Sequence, residues 1–214
     1  MNTRNAVLGI LISGRGSNMK SIVAACESGE IPGRVGIVIS NRADAPGISW
    51  AAENGLETAI FSHRDFGSRE LHDQAIVQRL KRAEVEWVCL AGYMRLLSAD
   101  FIRAFPQRIL NIHPALLPAF PGLDAQQQAL NYGVRVTGCT LHLVDEKLDH
   151  GPIVAQRTLQ IEEGEDVHRI KSRLILEEHR CYREALGRLL KEKWRLDGRR
   201  LVFDLRTAAA ESLD

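Results

Sequence analysis

Short apolar runs and amphipathic stretches alternate through the first half of the chain. Ala6–Ile12, Val35–Ser40, Thr58–Phe61, Trp87–Ala91 and Ile109–Ile112 are apolar, rich in strand-forming residues and bounded by Gly, Asn or Pro, so each predicts a strand. Between them, apolar positions recur at helical spacing near 17–28, 44–54, 68–83 and 98–104. Strands that are apolar at nearly every position are buried on both faces. Their alternation with helices implies βαβ crossovers, hence a doubly wound, mostly parallel, Rossmann-like α/β sheet.

The pattern changes after Pro114. Residues 114–122 hold three of the seven prolines and cannot run as helix or strand interior. A short helix is predicted over 123–132. Thr137–Val144 and Ile153–Ile161 read as two strands joined by a turn at Asp149-His150-Gly151. Asp166–Lys191 is the longest predicted helix, and Trp194–Phe203 reads as a terminal hairpin turned at Asp197-Gly198. These segments add an antiparallel strand extension and a long C-terminal helix to the parallel sheet. Residues 206–214 read as a frayed tail. With no linker, repeat or low-complexity tract, residues 1–214 are expected to form a single domain of two halves, about 1–113 and about 114–205.

Composition narrows the classes. At 214 residues and 45% hydrophobic content, one domain buries enough surface to need no disulfide or metal staple. A net charge of +1 is not the basic footprint of a nucleic-acid binder, and the Arg-rich stretch Trp194–Arg200 reads as a solvated hairpin face. The four cysteines, Cys26, Cys89, Cys139 and Cys181, form no C-x-x-C pair and read as buried reduced thiols of a cytosolic protein. Ala6–Ile12 lacks the cleavage site of a signal peptide, and no run approaches the ~20 apolar residues of a membrane span. A cytoplasmic protein without nucleic-acid or membrane partners is expected.

Four places offer chemistry. Gly14-Arg15-Gly16-Ser17-Asn18 lies between the first strand and first helix. Met19 stands where a dinucleotide fingerprint needs Gly, and no Gly-Lys-Ser/Thr makes a Walker loop. The turn either presents backbone N–H groups to a phosphate or is a plain tight turn, with Ser17 or Asn18 as donor or cap. Asn111 and His113, two apart on the fifth strand, share one face at its carboxyl end, where open α/β sheets bind ligands. Such a pair suits oxyanion donation and proton transfer, while an isolated turn histidine merely bonds backbone. Asp149 either orients an imidazole or is an ordinary turn aspartate. On the longest helix, Val167, Ile170, Leu174, Glu178, Cys181 and Leu189 lie along one stripe, and Arg173, Glu177, Arg180 and Glu184 mark a polar face. Glu178 therefore either meets a ligand or lies at the edge of the packed face. No H-E-x-x-H or G-x-S-x-G motif occurs, which leaves out a zinc helix and a serine-hydrolase elbow.

In combination, Ile12–Asn18, Leu90–Leu97, Asn111–Pro118 and Leu148–Pro152 resemble the folate-dependent formyltransferases, among them those acting on glycinamide ribonucleotide. The resemblance runs in order over roughly residues 6–205. It implies transfer of a formyl group from 10-formyltetrahydrofolate to the amine of glycinamide ribonucleotide in purine synthesis, without a metal, by a monomer or homodimer. By position it implies Asn111, His113 and Asp149 as catalytic. Gly16, Ser17 and Asn18 would form the substrate-phosphate loop, and Glu178 would contact the ribonucleotide. Arg69, Met94, Arg95, Leu96, Leu97 and Asn111 would touch folate, with Asp145 and Leu148 on a loop, 145–149, that closes over the pteridine. The first half then carries phosphate binding and the second folate binding.

Two related enzymes differ. Formyltetrahydrofolate deformylase has His-His-Ser where this chain has His113-Pro114-Ala115, and a leading regulatory domain for which this chain is expected to have no room. Methionyl-tRNA formyltransferase has Arg-Gly-Ala at Phe120-Pro121-Gly122, and a further RNA-binding domain. Asp124 and Gln126 stand where histidines are usual in the family, and His150 where a small residue is common. A non-catalytic nucleotide-binding module remains as a competing class; it would have no need of Asn111, His113 and Asp149 together.

Overall fold

All five apolar runs become parallel strands in the computed structural model, which describes residues 5–204: β1 Ala6–Ile12, β2 Gly33–Ser40, β3 Thr58–Ile60, β4 Trp87–Leu90 and β5 Ile109–His113. The tail expected over 206–214 lies outside the described residues. Between the strands run α1 Ser17–Glu27, α2 Pro46–Glu53, α3 Arg69–Arg82 and α4 Ala99–Ala104. Then come α5 Ala125–Tyr132, β6 Val136–Leu143, β7 Ile153–Gln160, α6 Val167–Lys191 and the hairpin β8 Trp194–Asp197 with β9 Arg200–Phe203.

The main sheet has the order β3-β2-β1-β4-β5-β6-β7, with β6 and β7 antiparallel to their preceding neighbours. The chain moves outward one way from β1 to β3 and the other way from β4 to β7. This creates a switch point between β1 and β4, beyond whose carboxyl ends ligands sit in open α/β sheets. The sheet is buried on both faces. Leu8, Ile10 and Ile12 of β1 pack with residues of α1, α2 and α6, whereas Val7 and Leu11 pack with residues of α3 and α4. That double burial is the physical source of the unbroken apolar runs.

Helix α6 buries more than the predicted stripe. Tyr182, Ala185 and Leu186 join Ile170, Leu174, Cys181 and Leu189 in the interior, and the Tyr182 hydroxyl points to the carbonyls of Leu90 and Leu110 at 3.4 and 3.3 Å. The terminal hairpin forms, but its two-residue loop is Gly198-Arg199, not Asp197-Gly198, because Asp197 pairs with Arg200. Only Gly198 of the two takes a positive φ, 58°, as expected when a glycine occupies the first central position of a II′ turn. All four cysteines are unpaired, three of them buried and Cys26 half-buried. Among the described residues no helix is long and apolar enough to cross a membrane.

Candidate active site

Four polar side chains gather on one face of the sheet where β5 and β6 pair. Leu110 and Ile112 pack beneath α1 and α6, so period-two alternation sends Asn111 and His113 to the opposite face. The register of β6 sets His142 against Asn111 and Thr140 against His113, adding both to that face. Thr140 is occupied structurally: its Oγ1 donates to the Ala115 carbonyl at 2.7 Å and accepts from the Leu117 N–H at 3.0 Å. It thereby holds the proline-rich loop against the sheet.

The loop between β6 and β7 folds back over this face and brings Asp149 to the two histidines. Asp149 Oδ2 lies 3.3 Å from His113 Nδ1 and accepts from the Gly122 N–H at 2.8 Å. Its Oδ1 lies 3.8 Å from His142 Nε2. Asp149 takes φ 47°, in the left-handed region that Asp tolerates better than most residues. The turn aspartate is therefore also the imidazole's partner.

The two histidines have opposite surroundings. His113 places Nε2 2.8 Å from the Phe120 carbonyl and Nδ1 beside Asp149, so both nitrogens face acceptors. His142 has Nδ1 at 2.9 Å from the Leu143 carbonyl and Nε2 at 3.1 Å from Asn111 Nδ2. Donating from one nitrogen and accepting at the other is the pattern of the neutral ring, a tautomer assigned from the network. Burial agrees, holding His142 below the ordinary histidine pKa. Asn111 is thus oriented by His142, with one amide N–H left for a ligand. Sequence reading missed His142. Its signal was a buried polar residue within an apolar strand, but its partner is set by a pairing across 31 positions.

At the end of β1, Gly16 takes φ 70° and leads into α1 with no side-chain cap. The first N–H groups of the helix are thus left for an anion. Neither Ser17 nor Asn18 caps. Asn18 instead donates from Nδ2 to Glu178 Oε2 at 2.8 Å, across to α6, and its buried Oδ1 has no partner among the described residues. Burial raises the Glu178 pKa, opposed by the Asn18 bond. Glu178, expected either at a ligand or at the edge of a packed face, therefore stands beside the glycine-rich turn.

The other expected contacts are spread over two segments. In the loop after β4, Met94 and Leu96 are 66% and 55% exposed, Leu97 packs on the α3–α4 side of the core, and buried Arg95 Nε has no partner among the described residues. Arg69 opens α3 with its guanidinium 3.4 Å from Glu70, and has no hydrogen bond or ion pair with residues 94–97. Asp145 Oδ1 accepts from the Lys147 N–H at 3.0 Å, and its Oδ2 meets His150 Nδ1 at 2.7 Å. Leu148 is exposed on the same loop. His150 also meets the Arg199 guanidinium at the hairpin tip. Asp124 and Gln126 lie at the start of α5, Asp124 within 3.9 Å of Lys171 and Gln126 buried.

The chain as a whole is similar to known proteins. The chain is 42% identical over 182 residues to the trifunctional purine biosynthetic protein adenosine-3 of Drosophila pseudoobscura pseudoobscura, covering 84% of this chain and only 13% of that protein. It is 38% identical over 190 residues to phosphoribosylglycinamide formyltransferase of Escherichia coli (strain K12), covering 89% and 87% of the two chains. The crystal structure of glycinamide ribonucleotide transformylase 1 from Symbiobacterium toebii is 46% identical, covers 94% of each chain and superposes with a TM-score of 0.91. Residues 7–186 match the family described as formyl transferase, and the chain belongs to that family.

Proposed function

We propose that this chain transfers a formyl group from 10-formyltetrahydrofolate to the amine of glycinamide ribonucleotide, a step of purine biosynthesis. The observation that carries this reading is the pairing, side by side at the carboxyl end of β5, of Asn111 with His142 and of His113 with Asp149. Relatives with the same fold bear names of that activity. We read the chain as one cytoplasmic domain, monomer or homodimer, whose first half binds phosphate and whose second half binds and closes on folate.

The reaction joins the amine nitrogen to the formyl carbon, then breaks the bond from that carbon to folate N10. Between the two events stands a tetrahedral carbon with a negative oxygen and a cationic nitrogen. The free N–H of Asn111 and the imidazolium of His113 donate to that oxygen. Asp149 orients His113 through its contact with Nδ1 and passes the amine proton through water to the departing N10. His113 Nε2 is already bonded to the Phe120 carbonyl, so the substrate oxygen must take that carbonyl's place. Gly16, Ser17 and Asn18 anchor the phosphate, and Glu178 holds the ribonucleotide near its amine. Binding energy far from the reacting atoms then orients them. Folate lies along Arg69, Met94–Leu97 and Asn111, under Asp145 and Leu148.

The test follows absorbance as 10-formylfolate loses its formyl group, with the ribonucleotide and with water alone. Release that needs the ribonucleotide is expected; equal release in water would make the chain a deformylase.

Glu178 gives a second check. Its pKa is raised by burial, so the folded state resists its ionisation, and stability is lost as pH rises above the unfolded value of about 4.3. Glu178→Gln removes that loss. Its melting temperature should exceed wild type at pH 8 and match it below about pH 4, while ribonucleotide affinity falls about tenfold. A lower melting point at pH 8 would contradict burial as the cause.

A further inference from the structure

The proposed ribonucleotide and folate sites meet at the switch point between β1 and β4, and one buried hydroxyl joins them. Ser13 is the first residue after β1. Its backbone N–H donates to the Gly92 carbonyl at 3.0 Å, and its Oγ accepts from the Met94 N–H at 2.8 Å. The same Oγ donates to Asn41 Oδ1, beyond the end of β2, at 2.6 Å. Ser13 and Asn41 are 7% and 6% exposed, so neither bond is exchanged freely with water. On the other side, the carbonyl of Gly14, in the phosphate turn, accepts from the Gly47 N–H at 3.0 Å.

The far end of the loop after β4 is fixed independently. The Ser98 N–H donates to Asp73 Oδ2 at 2.6 Å, and Asp73 Oδ1 lies 3.2 Å from His72 Nδ1, both side chains buried. Between the two anchors the exposed side chains of Met94 and Leu96 stand uncovered. The backbone at Met94 is therefore held from the phosphate-turn side by a single side-chain oxygen. That oxygen, together with the Ser13 N–H bond to the Gly92 carbonyl, ties the turn to the start of the loop.

Building on the two-substrate reading above, we propose that Ser13 is a positioning residue that couples the phosphate turn to the segment 94–97, so that each substrate tightens the site for the other. Removing the hydroxyl takes away the partner of the Met94 N–H and leaves the buried Asn41 carbonyl oxygen without its donor, which loosens the link. Because coupling between binding sites is reciprocal, the same factor should be seen from either ligand.

The experiment measures tetrahydrofolate affinity with and without saturating glycinamide ribonucleotide, in wild type, Ser13→Ala and Ser13→Thr. Wild type should bind about fivefold or more tightly when the ribonucleotide is present. Ser13→Ala should bring that ratio close to one, and Ser13→Thr, which keeps the oxygen, should restore most of it. Hydrogen exchange at the Met94 amide should quicken in Ser13→Ala while β1 and β4 stay protected. A merely structural loss would weaken both ligands alike and leave the ratio unchanged, which overturns the proposal. So would a wild type that transfers formyl and binds both ligands without coupling. A wild type that binds neither ligand overturns the two-substrate reading, and the coupling with it. If Ser13→Ala does not fold, Asn41→Ala carries the same comparison, since it removes the acceptor that aims the hydroxyl.

Discussion

Asn111→Ala is expected to lower formyl-transfer turnover about 100-fold or more, and His113→Ala at least as far. The two side chains share a face of β5, and each is held from its far side, Asn111 by His142 and His113 by Asp149. Asn111 keeps a free N–H for the formyl oxygen, whereas His113 Nε2 must first give up the Phe120 carbonyl; once in place, such fixed donors act most strongly where charge develops. Single-turnover absorbance should show the loss in the chemical step, with ribonucleotide affinity changed little because the turn proposed to bind phosphate lies elsewhere. The double variant should lose less than the product of the two, since both act on one oxygen. Near-wild-type turnover in Asn111→Ala would remove it from the reaction.

Gly151→Ala is expected to cost about 2–4 kcal/mol of stability and at least tenfold in activity. A Cβ at this position would stand 1.8 Å from the Leu143 carbonyl oxygen, 2.8 Å from its carbon and 3.2 Å from the Asp145 nitrogen. All three are backbone atoms, so no side-chain rotation relieves the clash and the loop itself must move. Asp149 lies two residues earlier on that loop and would leave both His113 and the Gly122 N–H. Urea unfolding and the folate-release assay would measure the two effects together. Gly67→Ala is the control: its added methyl meets nothing within 4 Å, so both quantities should stay at wild-type values. A Gly151→Ala variant as active and stable as that control would show that the loop does not need its present path.

Several parts of the site were legible along the chain. The fifth apolar run, ending in Asn111-Ile112-His113, placed two polar groups on one face by strand periodicity alone. The glycine-rich link from β1 to α1 marked a candidate anion turn but left a plain tight turn and a capping Ser17 or Asn18 open; in the structure no side chain caps, and Asn18 reaches Glu178. The roles of Arg69 and Met94–Leu97 came from family resemblance, and the exposed Met94 and Leu96 offer the open apolar surface that such a role needs. Asp149 was visible as a turn residue, but its meeting with His113 depends on a loop that doubles back over the sheet.

The sequence by itself determined the order of strands and helices, the burial of the parallel sheet on both faces, and the shared face of Asn111 and His113. Those properties follow from spacings of two to four residues and from the turn chemistry of Gly and Pro. Only the tertiary structure decided that His142 orients Asn111, that Phe120 occupies His113 Nε2, and that Ser13 bridges to Met94. Each of these contacts depends on strand register or loop path, and those are set by packing the whole sheet against its helices. A one-residue slip of β6 would turn His142 to the opposite face while leaving every local propensity unchanged.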